Sequence, residues 1–209
     1  MRLRTLWLVA VIALAGSLAP GTVADASTSD AVTVFRAFTA TGKPILPTKS
    51  VSGYCWTGSL AAPRNDAWRC FVGNGIYDPC FSSTAAPGVV LCPNYELTSD
   101  IQIRLTRPLP LKQADHGTAS VHGHPWLIEL ETFTVPNGGS PRCEISTGAT
   151  NVIDGTRLNY FCTGGGAFAT MGLWGFPKRQ QGTWVIVMAP FEAKTIKGAR
   201  LVAVRHMWT

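Results

Sequence analysis

The sequence has few charged residues and lacks the signature motifs of common hydrolases. Asp, Glu, Lys and Arg together make up 14% of its 209 residues. It contains no G-x-S-x-G, S-x-x-K or H-E-x-x-H motif, so it lacks the sequence signatures of α/β-hydrolases, penicillin-binding enzymes and zinc peptidases. The run G-G-G-A-F-A at residues 164–169 superficially matches a dinucleotide-binding fingerprint, but no strand–helix–strand context surrounds it. We therefore predict no cofactor, and the catalytic residues of any activity remain unknown.

Long apolar runs are also absent. No stretch reaches the roughly 20 uninterrupted apolar residues that a transmembrane helix needs. Arg2 and Arg4 precede a shorter apolar run at residues 6–15, and Ala24-Asp25-Ala26 follows it. This is the pattern of a secretory signal peptide and its cleavage site. We expect residues 1–26 to be a signal peptide, followed by a secreted or cell-wall-associated chain with no integral membrane segment.

All six cysteines lie after this segment, where an oxidising compartment favours disulfides. Six cysteines allow 15 pairings, and sequence alone cannot select one. We prefer sequential pairing because it closes short local loops, each of which would stabilise the fold by about 3 kcal/mol on the chain-entropy model. The predicted disulfides are Cys55–Cys70, Cys80–Cys92 and Cys143–Cys162.

The exported part is mildly basic. Without Arg2, Arg4 and Asp25 the chain has 16 Lys and Arg against 11 Asp and Glu, a net charge of +5. No Lys/Arg run or basic heptad occurs, so a nucleic-acid partner is not predicted. Outside the cell, such a surface fits an anionic cell-wall polymer, lipid headgroups or an acidic envelope protein. The alternative is that the charge serves solubility alone.

Helical periodicity is almost absent after residue 26, whereas short alternating or β-branched runs recur between breaks rich in Gly, Pro and Asn. This pattern predicts a mostly β fold, a disulfide-stapled antiparallel sheet of sandwich or barrel-like form, with one or two short helices. Strands are predicted at residues 31–38, 51–57, 88–92, 101–106, 126–135, 143–147, 156–162, 183–189 and 200–208. Asn65, Asp66 and Gly73 favour a short helix or a single irregular turn at residues 67–72. A second short helix is expected at residues 191–196.

Domain organisation follows from composition. Around residues 111–125 the chain turns polar, which separates a part with four cysteines from a part with two. We expect a single β-rich domain at residues 27–209, or two lobes at about 27–110 and 120–209. Asp154-Gly155 suits a two-residue hairpin turn. A strict register about that turn would pair Cys162 with Thr147 rather than Cys143, so a bulge, a wider loop or another cysteine pairing must intervene.

Cysteines and aromatic residues concentrate in G-Y-C-W-T-G-S at residues 53–59, D-A-W-R-C at 66–70 and Y-D-P-C-F at 77–81. Further motifs are P-L-P at 108–110, W-L-I-E-L at 126–130, T-G-A-T at 147–150 and D-G-T-R-L-N-Y-F-C at 154–162. Over most of the chain after residue 26, these resemble a group of uncharacterised secreted or membrane-anchored, cysteine-containing actinobacterial proteins. The resemblance implies export, disulfides and a cell-envelope setting, and it supplies no catalytic residues.

Four residues are predicted to bind a ligand. Asp66, Arg69 and Asp78 lie close to the cysteines, where an Asp and an Arg in a stapled segment could form a polar site. The alternative is that they cap turns or form a structural ion pair. Trp174, between Gly172 and Gly175, is the best candidate for a protruding aromatic platform that stacks on a sugar.

Two further groups of polar residues are candidates for metal binding or catalysis. Asp115, His116, His122 and His124 lie within ten residues, but their spacing fits no strong zinc signature, so no metal is predicted. Glu129 and Glu131 would point to one side of a strand, where two carboxylates could act in acid–base catalysis. Neighbours on one strand are more often its solvent-facing side. The fourth histidine, His206, is expected to pack beside Trp208.

These observations favour a secreted, envelope-associated binding or sensing module with no identifiable catalytic motif. One alternative is an extracellular hydrolase of a cell-wall or other polymer, and it would use carboxylates from Asp66, Asp78, Glu129 or Glu131. Another is a structural secreted protein without a specialised pocket.

Overall fold

A computed structural model of the protein describes residues 31–111, 124–131, 140–147, 152–163, 171–192 and 194–209. Regular structure in these ranges consists of β-strands, with no helix, and hence no helix that could cross a membrane. The strands are β1 Val32–Thr33, β2 Thr48–Gly58, β3 Ala67–Val72, β4 Gly75–Ser82, β5 Val89–Pro93, β6 Asp100–Leu105, β7 Leu127–Leu130, β8 Arg142–Ile145, β9 Val152–Ile153, β10 Thr156–Thr163, β11 Met171–Gln180, β12 Thr183–Glu192, β13 Thr195–Ile196 and β14 Arg200–Trp208.

Strands β2 to β6 form a closed five-stranded barrel. Neighbours along the chain pair antiparallel, and β2 closes the ring by pairing parallel to β6. The small interior is built around four cysteines, with Trp68, Val90 and Ile103 packed against them. Gly53 in β2 has to lack a side chain, because a Cβ there would lie 2.3 Å from the carbonyl oxygen of Phe71 on β3.

A second barrel follows in the chain. Its strand order is β14-β7-β8-β10-β11-β12, and β14 closes the ring because its first half pairs with β12 and its second half with β7. The short strands β1, β9 and β13 attach to β14, β10 and β12. Alternate residues of these strands point inward, among them Leu173, Ile186, Met188 and Val202, and all four are buried.

The two barrels share a hydrophobic core. Phe35 places its ring centroid 5.2 Å from that of Phe81 on the first barrel and 5.4 Å from that of Trp126 before the second. Arg64 links segments beside this core, because its Nη1 donates hydrogen bonds to the carbonyl oxygens of Phe35 at 2.7 Å and Thr209 at 3.0 Å. Most of the predicted lobe boundary, residues 112–123, lies outside the described residues, so the two-lobe division stays a prediction.

The predicted fold class and all three predicted disulfides are confirmed. Each disulfide joins neighbouring antiparallel strands. Cys55 faces Cys70 and Cys143 faces Cys162, while Cys80 and Cys92 lie next to the facing pair Phe81 and Leu91. The pairing along β10 changes register. Ile153 pairs with Thr156 next to the turn at Asp154-Gly155, whereas further along β10 Cys162 pairs with Cys143 rather than with Thr147.

Both helix predictions are wrong. Residues 67–72 form β3, since Cys70 must face Cys55 and the barrel interior buries Trp68 and Cys70. These tertiary contacts outweigh the local capping signal. At residues 191–196 the end of β12 turns back into β13, and Phe191 pairs with Ile196.

Candidate binding cleft

A cleft of about 380 Å³ opens between the two barrels. Strand β4 of the first barrel contributes Tyr77 and Asp78 to its walls. The second barrel contributes Trp126, Glu144 and Phe161, and the hydroxyl-bearing Ser146 and Thr147 follow directly after β8. The lining therefore combines aromatic rings, hydroxyls and two carboxyl groups, and it includes no Lys, Arg or His among the described residues.

Trp126 is buried within this lining and carries a hydrogen-bond donor. Its residue is 2% exposed, and its backbone is fixed by bonds of 2.9 Å to Trp208 and to Ile145. Its indole Nε1 has no hydrogen-bond partner among the described residues. A buried donor without an acceptor costs about 1–3 kcal/mol, and an acceptor on a bound molecule would recover that cost.

Glu144 lies on β8 between two residues that face the core. Cys143 and Ile145 are buried, so the alternation of the strand turns Glu144 outward to the cleft. The carboxyl group keeps contact with solvent, but the surrounding walls partly desolvate it and raise the pKa of Glu144 above its ordinary value. Glu144 is not among the site residues predicted from the sequence. Its position between two core residues signals that it points outward, but no local signal shows that a cleft lies there.

The Asp78 side chain is buried in the first barrel, where residues 59–61 and Arg69 are its partners. Its side chain is 2% exposed, and it accepts hydrogen bonds from the Ser59 hydroxyl and from the backbone amides of Leu60 at 3.1 Å and Ala61 at 3.4 Å. Arg69 Nε lies 3.8 Å from Oδ2. Burial raises the pKa of Asp78, and these bonds and the Arg69 charge oppose that rise. The carboxylate thus holds the chain at residues 59–61, as expected for a structural ion pair, and a ligand-binding role for Arg69 and Asp78 stays a prediction.

Arg69 also ends a row of stacked side chains on the outside of β2 and β3. Its guanidinium lies 5.3 Å from the Trp56 ring, and Trp56 stacks on Phe71 with 4.1 Å between centroids. Phe71 contacts Tyr54 at 5.5 Å, and Arg107 covers Tyr54 at 3.8 Å. The aromatic residues of the G-Y-C-W segment therefore face outward, while its cysteine faces the barrel interior.

Asp66 and Trp174, the other two predicted ligand residues, lie apart from Arg69 and Asp78. Asp66 forms a two-pronged ion pair with Arg64, with bonds of 2.6 and 3.0 Å. Trp174 is 50% exposed on β11 of the second barrel. The structure therefore brings Arg69 and Asp78 together, and it gives Asp66 a different partner and Trp174 a different surface.

The remaining candidates are distributed as follows. Glu129 pairs with Arg142 at 3.0 Å and lies 3.7 Å from Arg205, while Glu131 is exposed just after β7. Asp115, His116 and His122 lie outside the described residues, and His124 stacks on Phe176. His206 lies 4.5 Å from Trp208, as expected. No group of three or more potential metal ligands occurs in the described ranges.

Comparisons with protein-family models, with curated proteins and with solved structures found no match to the chain. The chemistry of the cleft therefore has to be argued from its own residues. A lining that contains Glu144 and no Lys, Arg or His among the described residues disfavours an anionic ligand. Carboxyl and hydroxyl oxygens, an indole N–H and aromatic rings instead match a ligand that has several hydroxyl groups and an apolar face.

Proposed function

We propose that the protein is a secreted, envelope-associated binding module whose cleft holds an uncharged sugar unit of an envelope glycan. The observation that carries this proposal is that Glu144 and Trp126, whose buried N–H has no partner among the described residues, line the same cleft. Export rests on the pattern of residues 1–26, and the envelope setting rests on the resemblance to secreted actinobacterial proteins.

The cleft offers complementary groups to a sugar ring. Glu144, Ser146 and Thr147 supply oxygens that can accept hydrogen bonds from sugar hydroxyls. The Trp126 N–H can donate to a ring or hydroxyl oxygen. The rings of Tyr77 and Phe161 supply the aromatic surface on which the C–H face of a sugar packs.

The charge of the whole molecule points to the kind of polymer that carries this sugar. Residues 27–209 carry a net charge of +5, whereas the cleft lining has no basic residue among the described residues. The surface can therefore attract an anionic wall polymer while one of its neutral units enters the cleft. Binding of this kind weakens with added salt, since screening acts on exposed charges. An acidic envelope protein is the competing partner.

The test is a pull-down of the oxidised protein with purified actinobacterial sacculi at graded salt, with a reduced and alkylated control. We expect saturable binding that needs intact disulfides. Trp126→Phe and Glu144→Gln are each expected to weaken it about tenfold or less, as for loss of one or two hydrogen bonds. Glu192→Gln, at an exposed site on β12, serves as the matched control. Absent binding, or equal binding by the cleft variants and wild type at matched thermal stability, would refute the cleft as the sugar site.

One observation favours hydrolysis as a second candidate function. Asp78 and Glu144 line the same cleft, and burial raises the pKa of both, which is the property of a general acid. The several bonds that Asp78 already accepts count against it as a free base. Release of soluble fragments from sacculi distinguishes the two functions. Release that is abolished by Glu144→Gln while binding persists would establish the hydrolase and displace the binding module.

A further inference from the structure

The outer face of the second barrel carries a row of apolar side chains that the core does not use. Trp174 on β11 faces Val187 on β12, and Val187 in turn faces Leu201 on β14. Facing residues of neighbouring strands project to the same side of a sheet. Trp174 is 50% exposed and Leu201 is 49% exposed, so the row lies at the surface. We call these three residues the outer apolar row.

The adjoining part of this outer face is covered by the short strands β9 and β13, unlike the outer apolar row. Ile153 of β9 and Ile196 of β13 pack with Leu158 and Ala189 in a small cluster outside the barrel. Leu158 and Ala189 are fully buried by that cover. The outer apolar row has no such cover from the described residues, and exposed groups of large apolar side chains commonly mark a contact surface.

A basic residue borders the row. Lys178 faces Val185, two positions from Val187, and lies on the same side of the sheet as the row. Arg200 is exposed at the start of β14, where it faces Met188 rather than the row. Strands β11 and β14 contain four basic residues, Lys178, Arg179, Arg200 and Arg205, and no acidic one. Arg205 lies 3.7 Å from Glu129 and Arg179 faces Trp184, so Lys178 is the basic residue of these strands that lies beside the row. The single acidic residue of β12 is Glu192 at its end. The surface therefore complements a partner with negative charge.

We propose that the outer apolar row docks the protein on an anionic lipid surface. A Trp beside aliphatic side chains with a basic border is the composition of interfacial membrane contacts, because the indole prefers the headgroup region and Lys and Arg attract anionic lipids. Val187 and Leu201 offer no hydrogen bonds to a glycan, and the outside of a barrel is convex, so a broad flat partner fits the row better than a narrow chain. This site is separate from the cleft and independent of its ligand.

The test is co-sedimentation of the purified oxidised protein with vesicles of mixed phosphatidylglycerol and phosphatidylcholine, against vesicles of pure phosphatidylcholine. We expect binding to the anionic vesicles alone. Trp174→Ala with Leu201→Ser is expected to weaken it about tenfold or more, and Lys178→Gln about fivefold. Ile45→Ser and Lys43→Gln, both exposed before β2, are matched controls that should leave it unchanged.

Several outcomes would overturn the docking surface. These are absent binding to anionic vesicles, equal loss in the controls, and unchanged binding by the Trp174→Ala, Leu201→Ser variant at wild-type thermal stability. Loss of sacculus binding instead of vesicle binding in that variant would show a glycan platform and would also overturn the proposal. Trp126→Phe should leave vesicle binding intact. The assay therefore distinguishes failure of the proposed sugar site in the cleft from failure of the proposed lipid contact at the outer apolar row.

Discussion

Asp100 provides a sharp test of the energetics of the first barrel. It begins β6, its backbone amide donates to the carbonyl oxygen of Pro47 at 2.8 Å, and it is 2% exposed. Neither carboxyl oxygen has a hydrogen-bond partner among the described residues. Burial raises the pKa of Asp100 from 3.8 to about 6. In the folded protein the Asp100 carboxyl group therefore stays neutral up to about pH 6, whereas in the unfolded chain it ionises with a pKa of 3.8.

The sign of the pH effect follows from this difference. Well below pH 3.8 the group is neutral in both states and costs nothing through ionisation. As the pH rises from 3.8 to about 6, ionisation in the unfolded chain progressively favours unfolding, and above about 6 the loss is complete. A rise in pKa from 3.8 to about 6 corresponds to a loss of roughly 3 kcal/mol in the free energy of unfolding.

Asp100→Asn removes the ionisation and keeps the shape. We expect the variant to gain stability relative to wild type by up to about 3 kcal/mol between pH 4 and pH 7. Denaturant unfolding of the two oxidised proteins across this range measures the difference, and contributions from Asp78 and Glu144 cancel in it. Glu192→Gln, which is exposed, should follow the wild-type curve. Parallel curves for wild type and Asp100→Asn would refute the argument that the buried carboxyl group stays unpaired.

Two further predictions concern the assembly of the barrels. Arg64→Met should lower the free energy of unfolding by about 2–4 kcal/mol, measured by denaturant unfolding, because the carbonyl oxygens of Phe35 and Thr209 lose their donor. A loss below about 0.5 kcal/mol would contradict that role. Gly53→Ala should lower the unfolding midpoint by several degrees or prevent folding, since its Cβ would meet the Phe71 carbonyl oxygen at 2.3 Å. An unchanged midpoint would show that β2 and β3 can separate at that position without loss.

Local patterns predicted most strands and failed where glycine and proline interrupt them. Strands β4 and β11 were not predicted, since β4 contains Pro79 and β11 contains Gly175 and Pro177. In the structure both prolines lie beside irregularities of the pairing, between Trp68 and Cys70 on β3 and between Trp174 and Lys178 on β11. A residue without an amide hydrogen is tolerated there because the regular ladder is already interrupted.

The disulfide pairing was predictable because each pair closes a short stretch of chain, with sequence separations of 15, 12 and 19 residues. The register that brings Cys143 opposite Cys162 was not, because the turn at Asp154-Gly155 alone would place Thr147 there. The helix at residues 67–72 was predicted wrongly for the converse reason. Its capping residues are a local signal, but the partner of Cys70 and the interior that buries Trp68 are supplied by other strands. Packing against those strands decides between helix and strand for such a short segment.

Alternation and cysteine spacing are properties of neighbouring residues, so they predict a mostly β, disulfide-stapled chain without any knowledge of the fold. The tertiary structure alone decided that Trp126 and Glu144 line one cleft with Tyr77, and that Trp174, Val187 and Leu201 form one exposed row. Alternation along a strand shows which residues point away from the core, but barrel closure decides which residues of other strands lie beside them.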